Sequence, residues 1–225
     1  MATRKVAVIG GTGAEGFGLA SRWARAGIEI VIGSRAEERA EDAAAKIKDL
    51  VGGTVSGLGN EAAAASAPIV VVTVPFAAQA GIYRSIANSI GPDTIVVDCT
   101  VPVGASVGDK ATHVLGVWEG SAAQQAQSLL PKETTVCAGF HALAAAALSD
   151  LDREMEGDVL VCGTNKAARL EVGELVTAIP DLRFIDAGSL ENARIIEPIT
   201  ALLIGINRRY KTDRAGIKMT GLPPT

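Results

Sequence analysis

The chain has 225 residues, of which 48% are hydrophobic and 4% aromatic, and its 21 basic and 25 acidic residues give a net charge of −4. This apolar content excludes general disorder. The few aromatic residues and the acidic balance disfavour a broad nucleic-acid-binding face. No apolar run reaches the roughly 20 residues that a membrane-spanning helix requires. We therefore expect a globular protein without a nucleic-acid or membrane partner.

Cysteine and histidine are too scarce and too widely spaced to predict a zinc site. They occur only at Cys99, Cys137, Cys162, His113 and His141. Residues 1–5 run directly into a strand-like segment and show no secretory signal. An odd number of separated cysteines suits a reducing compartment. We expect no metal and a cytoplasmic location.

Short β-branched runs alternate with alanine-rich segments along the chain, which predicts βαβ units and a doubly wound, mostly parallel sheet. Continuous apolar runs such as residues 69–72 are typical of strands that are buried on both faces. The predicted strands are residues 5–9, 29–32, 54–58, 69–74, 94–98, 135–138, 158–162 and 183–186. The predicted helices are residues 14–26, 36–50, 76–90, 122–130, 166–179 and 190–209.

Two stretches interrupt this regular pattern. Residues 103–130 predict a loop followed by a helix that begins at Ser121. The pattern changes again after His141, which predicts a boundary near residue 145. We therefore expect a Rossmann domain over residues 1–145 and a small α/β lobe over residues 146–225 that completes a substrate cleft and contributes a dimer contact.

A glycine-rich turn follows the first predicted strand. Gly11, Gly13 and Gly16 match the pattern G-x-G-x-x-G. The first glycine allows a tight turn, the second lets the backbone approach a pyrophosphate, and the third lets the helix pack close to the strand. The amides that begin this helix then face the phosphates. The strand before the turn and the amphipathic helix after it make the motif a strong sign of dinucleotide binding.

The end of the second predicted strand indicates which dinucleotide binds. In NAD-specific folds an acidic residue near this point bonds the ribose 2′-hydroxyl. Here the strand ends in Gly33, Ser34 and Arg35, and Arg39 follows one helical turn later. Serine and arginine can donate to a 2′-phosphate, as can Thr12 in the glycine turn. The pattern favours NADP, although Arg35 and Arg39 could instead be solvated helix charges paired with neighbouring glutamates.

Taken together, these motifs resemble the NADPH-dependent coenzyme F420 reductases, also called F420H2:NADP oxidoreductases. The likeness runs in order from the glycine turn and Gly33-Ser34-Arg35, through Thr73-Val74-Pro75 and His141, to the pattern Asp-Ala-Gly-x-Leu-x-x-x-Arg that ends at Arg194. It implies a Rossmann fold, a homodimer, and reversible hydride transfer between NADP(H) and the 5-deazaflavin. Such hydride transfer depends on how the protein positions the two ligands, so no catalytic acid or base is expected.

The resemblance also implies residues for each ligand. The residues expected at NADP are Gly11, Thr12, Gly13, Ala14, Glu15, Ser34, Arg35, Arg39, Val74, Pro75 and Phe76. The residues expected at the deazaflavin are His141, Arg194 and Thr200. His141 could modulate rates by donating to the polar edge of the deazaflavin, since histidine's ordinary pKa is about 6.5. One departure is Pro198, which stands where the family pattern leads us to expect a hydroxyl residue.

Alternatives to this interpretation remain open. His141 could be a structural histidine bonded to a backbone carbonyl, and Arg194 could cap or pair within its helix. The protein could reduce another small acceptor with NADPH, such as an imine, a keto acid or a quinone-like ring. It could also be a non-enzymatic NADP sensor that binds a protein partner, in which case it would bind NADPH but transfer no hydride.

Overall fold

The structure is a computed structural model that describes residues 4–223. Its strands are β1 (Lys5–Ile9), β2 (Glu29–Ser34), β3 (Val55–Gly59), β4 (Ile69–Val72), β5 (Ile95–Asp98), β6 (Thr135–Ala138), β7 (Gly157–Gly163) and β8 (Leu182–Asp186). Its helices are α1 (Ala14–Arg25), α2 (Glu37–Val51), α3 (Asn60–Ala65), α4 (Phe76–Ile86), α5 (Ala122–Leu129), α6 (Ala145–Ser149), α7 (Lys166–Thr177), α8 (Ala193–Ile196) and α9 (Ile199–Tyr210).

All eight strands form one sheet in the order β3-β2-β1-β4-β5-β6-β7-β8. The strands pair in parallel except at β6–β7, which is antiparallel. The predicted mostly parallel Rossmann sheet is therefore confirmed. Successive strands are added on opposite sides of β1, so a crevice opens at the carboxyl ends of β1 and β4, where such sheets bind ligands.

Two hydrophobic cores cover the two faces of the sheet. Side chains alternate along each strand, so Val6 and Val8 of β1 enter one core while Ala7 and Ile9 enter the other. Helices α1, α2 and α7 cover the first face, and α3, α4, α5 and α8 cover the second. Because the central strands are buried on both faces, their sequences are continuous apolar runs.

The prediction of one continuous helix over residues 190–209 was wrong. The structure has a 3-10 turn at Leu190–Asn192, then α8, then α9, and Pro198 stands at the junction of the two helices. Proline has no amide hydrogen, so Pro198 cannot donate to the carbonyl four residues earlier, and its ring disfavours a continuous helix. Glu197 lies at this break, and its side chain contacts the start of α5.

Other differences from the predicted elements are small. Strand β4 ends at Val72, although the Thr73 amide still donates to the Ile9 carbonyl at 2.9 Å. Helix α3 was missed because six residues rich in alanine give little periodicity. The predicted start of α5 is confirmed, since the Ser121 hydroxyl accepts from the Gln124 amide at 3.0 Å as the helix cap.

Long-range side-chain hydrogen bonds fix the loop after α6. Arg22 of α1 donates to the carbonyls of Leu148, Ala147, Asp150 and Arg153 at 2.7–3.2 Å. One guanidinium therefore satisfies two carbonyls in the last turn of α6 and two in the loop after it. The bonds tie this segment to the helix that follows the glycine turn.

Within residues 4–223 no helix has the length and apolar character needed to cross a membrane. The start of the chain, on which the expectation about a secretory signal rests, lies partly outside that range. Strands β7 and β8 extend the same sheet, and the division at residue 145 stays a prediction.

Candidate active site

The glycine turn brings helix α1 unusually close to the sheet. A Cβ added at Gly16 would lie 2.4 Å from the Thr73 hydroxyl oxygen and 2.8 Å from the Gly10 carbonyl oxygen, so no larger residue fits. At Gly13 the nearest atom is the Gly10 carbonyl oxygen, at 3.3 Å. The Gly13 backbone at the start of α1 is exposed, which leaves room for a ligand to approach the first amides of the helix.

A cleft of about 490 Å³ opens above this turn, and we call it the glycine-turn cleft. Seven of the predicted NADP residues line it: Thr12, Gly13, Ser34, Arg35, Arg39, Val74 and Pro75. Four predicted residues do not. Gly11 is buried beneath the turn, Ala14 and Glu15 begin α1, and Phe76 begins α4.

Six further residues that sequence reasoning did not assign to NADP line the glycine-turn cleft, namely Gly10, Ala36, Asn60, Thr73, Ala78 and Ile82. Asn60 begins α3 directly after β3, and its side-chain oxygen is buried without a hydrogen-bond partner. An unpaired buried acceptor of this kind is costly unless a donor reaches it. A polar residue immediately after a predicted strand was the signal that could have identified it.

The charge at the end of β2 is positive and accessible. Arg35 and Arg39 are exposed, and among the described residues neither forms an ion pair within 4 Å. The structure thus shows no pairing of these arginines with the glutamates of α2. The absence of a carboxylate among the residues lining this cleft leaves both guanidinium groups available for an anion.

A buried carboxylate lies beside this cleft, at the carboxyl end of β5. Asp98 accepts hydrogen bonds from Gln79 Nε2 at 2.6 Å, from the Tyr83 hydroxyl at 2.9 Å and from the Thr100 amide at 2.5 Å. Burial raises the pKa of Asp98 to about 6, although these hydrogen bonds favour its ionised form. Asp98 is thus held in place from α4 and from its own loop.

Glu15 lies in the first turn of α1 and is half-buried. Burial raises the pKa of Glu15 to about 8, and the charge of Asp98 shifts it in the same direction. The raised pKa reduces the negative charge that the sequence places beside the phosphate-binding helix.

A second cleft, of about 450 Å³, lies next to His141, and we call it the His141 cleft. It is lined by residues 141–146 and by α9, including Thr200, Leu203 and Ile204. The Thr200 hydroxyl donates to the His141 carbonyl at 2.7 Å. The structure thus brings together two of the three residues predicted for the second ligand.

His141 is buried, and its Nε2 atom has no hydrogen-bond partner in the structure. Burial lowers the pKa of His141 to about 4, and contact with the Asp98 backbone offsets only part of this shift. A buried ring without a counter-charge resists protonation. His141 offers a neutral ring to the cleft.

Arg194, the third residue predicted for the second ligand, is exposed on α8 and is not among the residues that line the His141 cleft. Glu197, which sequence reasoning did not assign to the site, is buried instead and accepts from the Ala122 and Ala123 amides at 2.9 and 3.0 Å. Burial raises the pKa of Glu197 to about 8. Its carboxyl joins the α8–α9 junction to the start of α5.

Comparison with known proteins gives matches over almost the whole chain. It is 44% identical to an F420-dependent NADP reductase of Methanothermobacter thermautotrophicus, over 97% of this chain and 96% of that protein. It is 40% identical to an F420-dependent NADP reductase of Methanocaldococcus jannaschii, over 97% and 99%. The chain belongs to the F420-dependent NADP reductase family.

Two further comparisons agree with this family. Residues 5–102 match the family model described as NADP oxidoreductase coenzyme F420-dependent, and they include the whole glycine-turn cleft. The crystal structure of a protein from Arthrobacter sp. FB24 has a TM-score of 0.82 with this chain at 25% identity, over 96% of this chain and 99% of that one. The family resemblance inferred from the motifs is confirmed.

Proposed function

We propose that this protein transfers a hydride reversibly between NADP(H) and the 5-deazaflavin coenzyme F420. The observation that carries the proposal is the glycine-turn cleft, which offers helix amides and two unpaired arginines and is lined by no carboxylate. Membership of the F420-dependent NADP reductase family supports the second substrate.

The residues divide between the two ligands by chemistry. We assign the adenosine 2′-phosphate to Ser34, Arg35 and Arg39, since guanidinium and hydroxyl groups bind phosphate through charge-assisted hydrogen bonds. The first amides of α1 face the pyrophosphate, with Gly13 giving close access. We assign the deazaflavin to the His141 cleft, where alanine, leucine and isoleucine side chains accommodate a planar ring.

The chain's own contribution to hydride transfer is positioning. The reduced nicotinamide supplies the hydride and the deazaflavin carbon receives it, so the carbon centres need no acid or base from the protein. Thr200 holds the His141 backbone, and the neutral His141 ring donates or accepts one hydrogen bond at the polar edge of the second ligand. Apolar walls exclude water from the reacting atoms.

The test is to mix the protein with NADPH and coenzyme F420 and to follow the loss of deazaflavin absorption. We expect NADPH-dependent reduction that reverses with NADP+ and reduced F420. Arg35→Ala serves as the impaired variant, and Lys46→Ala, at an exposed residue of α2 outside the glycine-turn cleft, is the matched control. Tight NADPH binding without any loss of deazaflavin absorption would favour another acceptor or a sensor.

We also propose that the protein is a homodimer. Large apolar side chains are exposed in two segments that lie side by side, since Thr112 packs near Gly205 of α9. The exposed apolar side chains are those of Val107, Val114, Trp118, Ile195 and Leu202. Trp118 is 99% exposed, and a fully solvated tryptophan within such a group is typical of an interaction surface.

The dimer proposal is tested by light scattering during gel filtration. We expect Trp118→Glu to convert a dimer to a monomer, because a buried carboxylate without a partner opposes association. Leu170→Glu on α7, where the side chain is 48% exposed, is the control and should stay dimeric. A wild-type monomer, or a Trp118→Glu dimer of unchanged affinity, would contradict the proposed surface.

Two further assignments belong to this proposal. We place the protein in the cytoplasm, which suits the three buried free thiols of Cys99, Cys137 and Cys162. We also propose that residues 146–225 act as a small lobe that completes the second cleft through α9. Limited proteolysis near residues 145–155 would test the lobe, since a cut there should leave both fragments folded and associated through the shared sheet.

A further inference from the structure

Helix α5 lines neither cleft, but two buried side chains hold its first residue. Gln79 of α4 donates through Nε2 to the Ala122 carbonyl oxygen at 2.8 Å. Glu197, at the junction of α8 and α9, accepts from the Ala122 amide at 2.9 Å and from the Ala123 amide at 3.0 Å. Side chains from two distant segments therefore bind the amide and the carbonyl of one residue. We call Gln79, Ala122 and Glu197 the Ala122 link.

The Ala122 link joins an element of one cleft to an element of the other. Helix α4 contributes Ala78 to the glycine-turn cleft, directly before Gln79 in the chain. Helix α9 contributes Thr200 to the His141 cleft, three residues after Glu197. Gln79 and Glu197 themselves line neither cleft. The link therefore connects the walls of the two clefts without taking part in either surface.

Both ends of the Ala122 link are fastened at the ligand-binding edge of the sheet. Gln79 Nε2 also donates to the carboxylate of Asp98, which ends β5, at 2.6 Å. At the other end the Thr200 hydroxyl donates to the His141 carbonyl at 2.7 Å. The loop that carries His141 is bound to the same strand end, since the Gly139 amide donates to the Asp98 carbonyl at 3.2 Å. The hydrogen bonds thus connect both walls to the carboxyl ends of β5 and β6.

The Ala122 link is polar although it lies in the protein interior. Gln79 is 0% exposed and Glu197 is 1% exposed. Within residues 4–223 no lysine, arginine or histidine forms an ion pair with Glu197. Apolar side chains of similar volume often stabilise an interior as well as buried ionisable groups do, so stability alone does not account for these residues. Directional buried hydrogen bonds do fix one arrangement of the elements that they join.

We propose that Gln79 and Glu197 are positioning residues for hydride transfer, which set the separation of the two clefts by holding Ala122 from both sides. The proposal rests on the proposed function and deepens it. The two reacting carbons must approach to about 3–3.5 Å, and a displacement of about 1 Å can cost about 100-fold in rate. Neither side chain exchanges a proton with a ligand, and both act through the cleft walls that they hold.

The experiment uses Gln79→Met and Glu197→Met, which remove the hydrogen bonds and nearly keep the side-chain volume. Protein saturated with NADPH is mixed with saturating coenzyme F420 in a stopped-flow instrument, and the single-turnover loss of deazaflavin absorption is recorded. We expect the rate constant to fall by about tenfold or more in each variant. The dissociation constants of NADPH and of coenzyme F420, measured separately, should change little. NADPH deuterated at C4 of the nicotinamide should slow the same step, which identifies it as hydride transfer.

The amplitude of the single turnover separates positioning from a loss of folded protein. A variant that is only less stable reacts in fewer molecules but keeps the wild-type rate constant, and that result would overturn the proposal. Because the rate constant reports only on folded molecules, partial unfolding does not obscure the test. Gln125→Met, at a half-buried residue of α5 outside both clefts, is the matched control and should keep the wild-type rate constant.

Two further variants test whether Gln79 and Glu197 act through one link. The double variant Gln79→Met, Glu197→Met should be no slower than the slower single variant, because either change already breaks the link, whereas losses that multiply would overturn the proposal. Glu197→Gln keeps the length of the side chain and one acceptor, so it should recover part of the rate that Glu197→Met loses. A wild-type protein that reduces no coenzyme F420 would overturn both proposals, whereas variants as fast as an active wild type would overturn this one alone.

Discussion

The two clefts recognise their ligands by different physical means. The glycine-turn cleft combines the backbone of the turn, polar side chains and two solvent-exposed arginines with an apolar part formed by Val74, Pro75, Ala78 and Ile82. The His141 cleft is lined by alanine, leucine and isoleucine, with Arg208 and Asp213 among its polar residues, and burial lowers the pKa of its histidine to about 4. The first therefore suits a charged ligand that is held by amides and cations, and the second suits an apolar ring that is held by burial. Substitutions in the two clefts should fail in different ways.

The largest effect should come from Gly13→Val. The added side chain would fill the space in front of the first helix amides, so NADP(H) affinity should fall by at least about 100-fold while the fold is retained. Calorimetric titration with NADPH and a circular dichroism melt would measure both. Gly81→Ala on α4, where an added Cβ meets nothing within 4 Å, is the control. Affinity within a few-fold of wild type would mean that this turn is not the phosphate site.

Next in size should be Arg35→Ala, which removes a cation from the edge of the glycine-turn cleft. A charge-assisted hydrogen bond contributes about 1.5–3 kcal/mol, so NADPH affinity should fall by about ten- to a hundred-fold. NADH affinity should change little, because NADH has no 2′-phosphate. Titrating both cofactors against wild type and Lys46→Ala checks this, and equal losses for both cofactors would remove the basis for NADP preference.

A smaller effect is expected in the second cleft. His141→Ala should lower deazaflavin affinity or turnover by about tenfold and leave NADPH binding little changed, since the residue orients a ring and carries no hydride. Because burial lowers the pKa of His141 to about 4, its contribution should be constant between pH 6 and pH 8. Steady-state kinetics with both substrates measures this. A collapse of NADPH affinity alone would place His141 in the other cleft.

A separate effect concerns stability and pH. The folded-state pKa values of Glu15 and Glu197 are raised to about 8, so the folded chain holds protons that the unfolded chain loses from about pH 4.5 upward. The free energy of unfolding should therefore fall as pH rises from about 4.5 through 8. For His141 the folded pKa is lowered, so its contribution is lost as pH falls from 6.5 toward 4.

Melting temperature measured from pH 5 to pH 9 would test these signs. We expect a lower value at pH 9 than at pH 6, and a smaller difference between the two in the double variant Glu15→Gln, Glu197→Gln. Glu171→Gln, an exposed residue of α7, is the control. A melting temperature that rises steadily to pH 9 would contradict the protonated state of both carboxyls.

The contrast between the clefts also explains what sequence could predict. The glycine turn, β2 and Arg35 form one local βαβ unit, so spacing alone located most of that cleft. Asp98, Tyr83 and Glu197 come from distant segments, and only tertiary packing brings them together. The neutral state of His141 and of Glu15 depends on burial, which no local pattern encodes. The break at Pro198 was a local signal that the apolar periodicity concealed.

The hydrogen bonds that Arg22 donates determine which positions can vary in sequence, both at residue 22 and between residues 147 and 153. All four of its acceptors are main-chain carbonyls, so the identity of side chains between residues 147 and 153 matters little to these bonds. Arg22 itself has no substitute, because lysine lacks the planar fork that reaches several acceptors at once. In a library of all single substitutions, exposed positions of this loop should tolerate most residues other than proline, whereas position 22 should accept arginine alone. The conformation of this loop thus depends on a residue about 125 positions earlier in the chain.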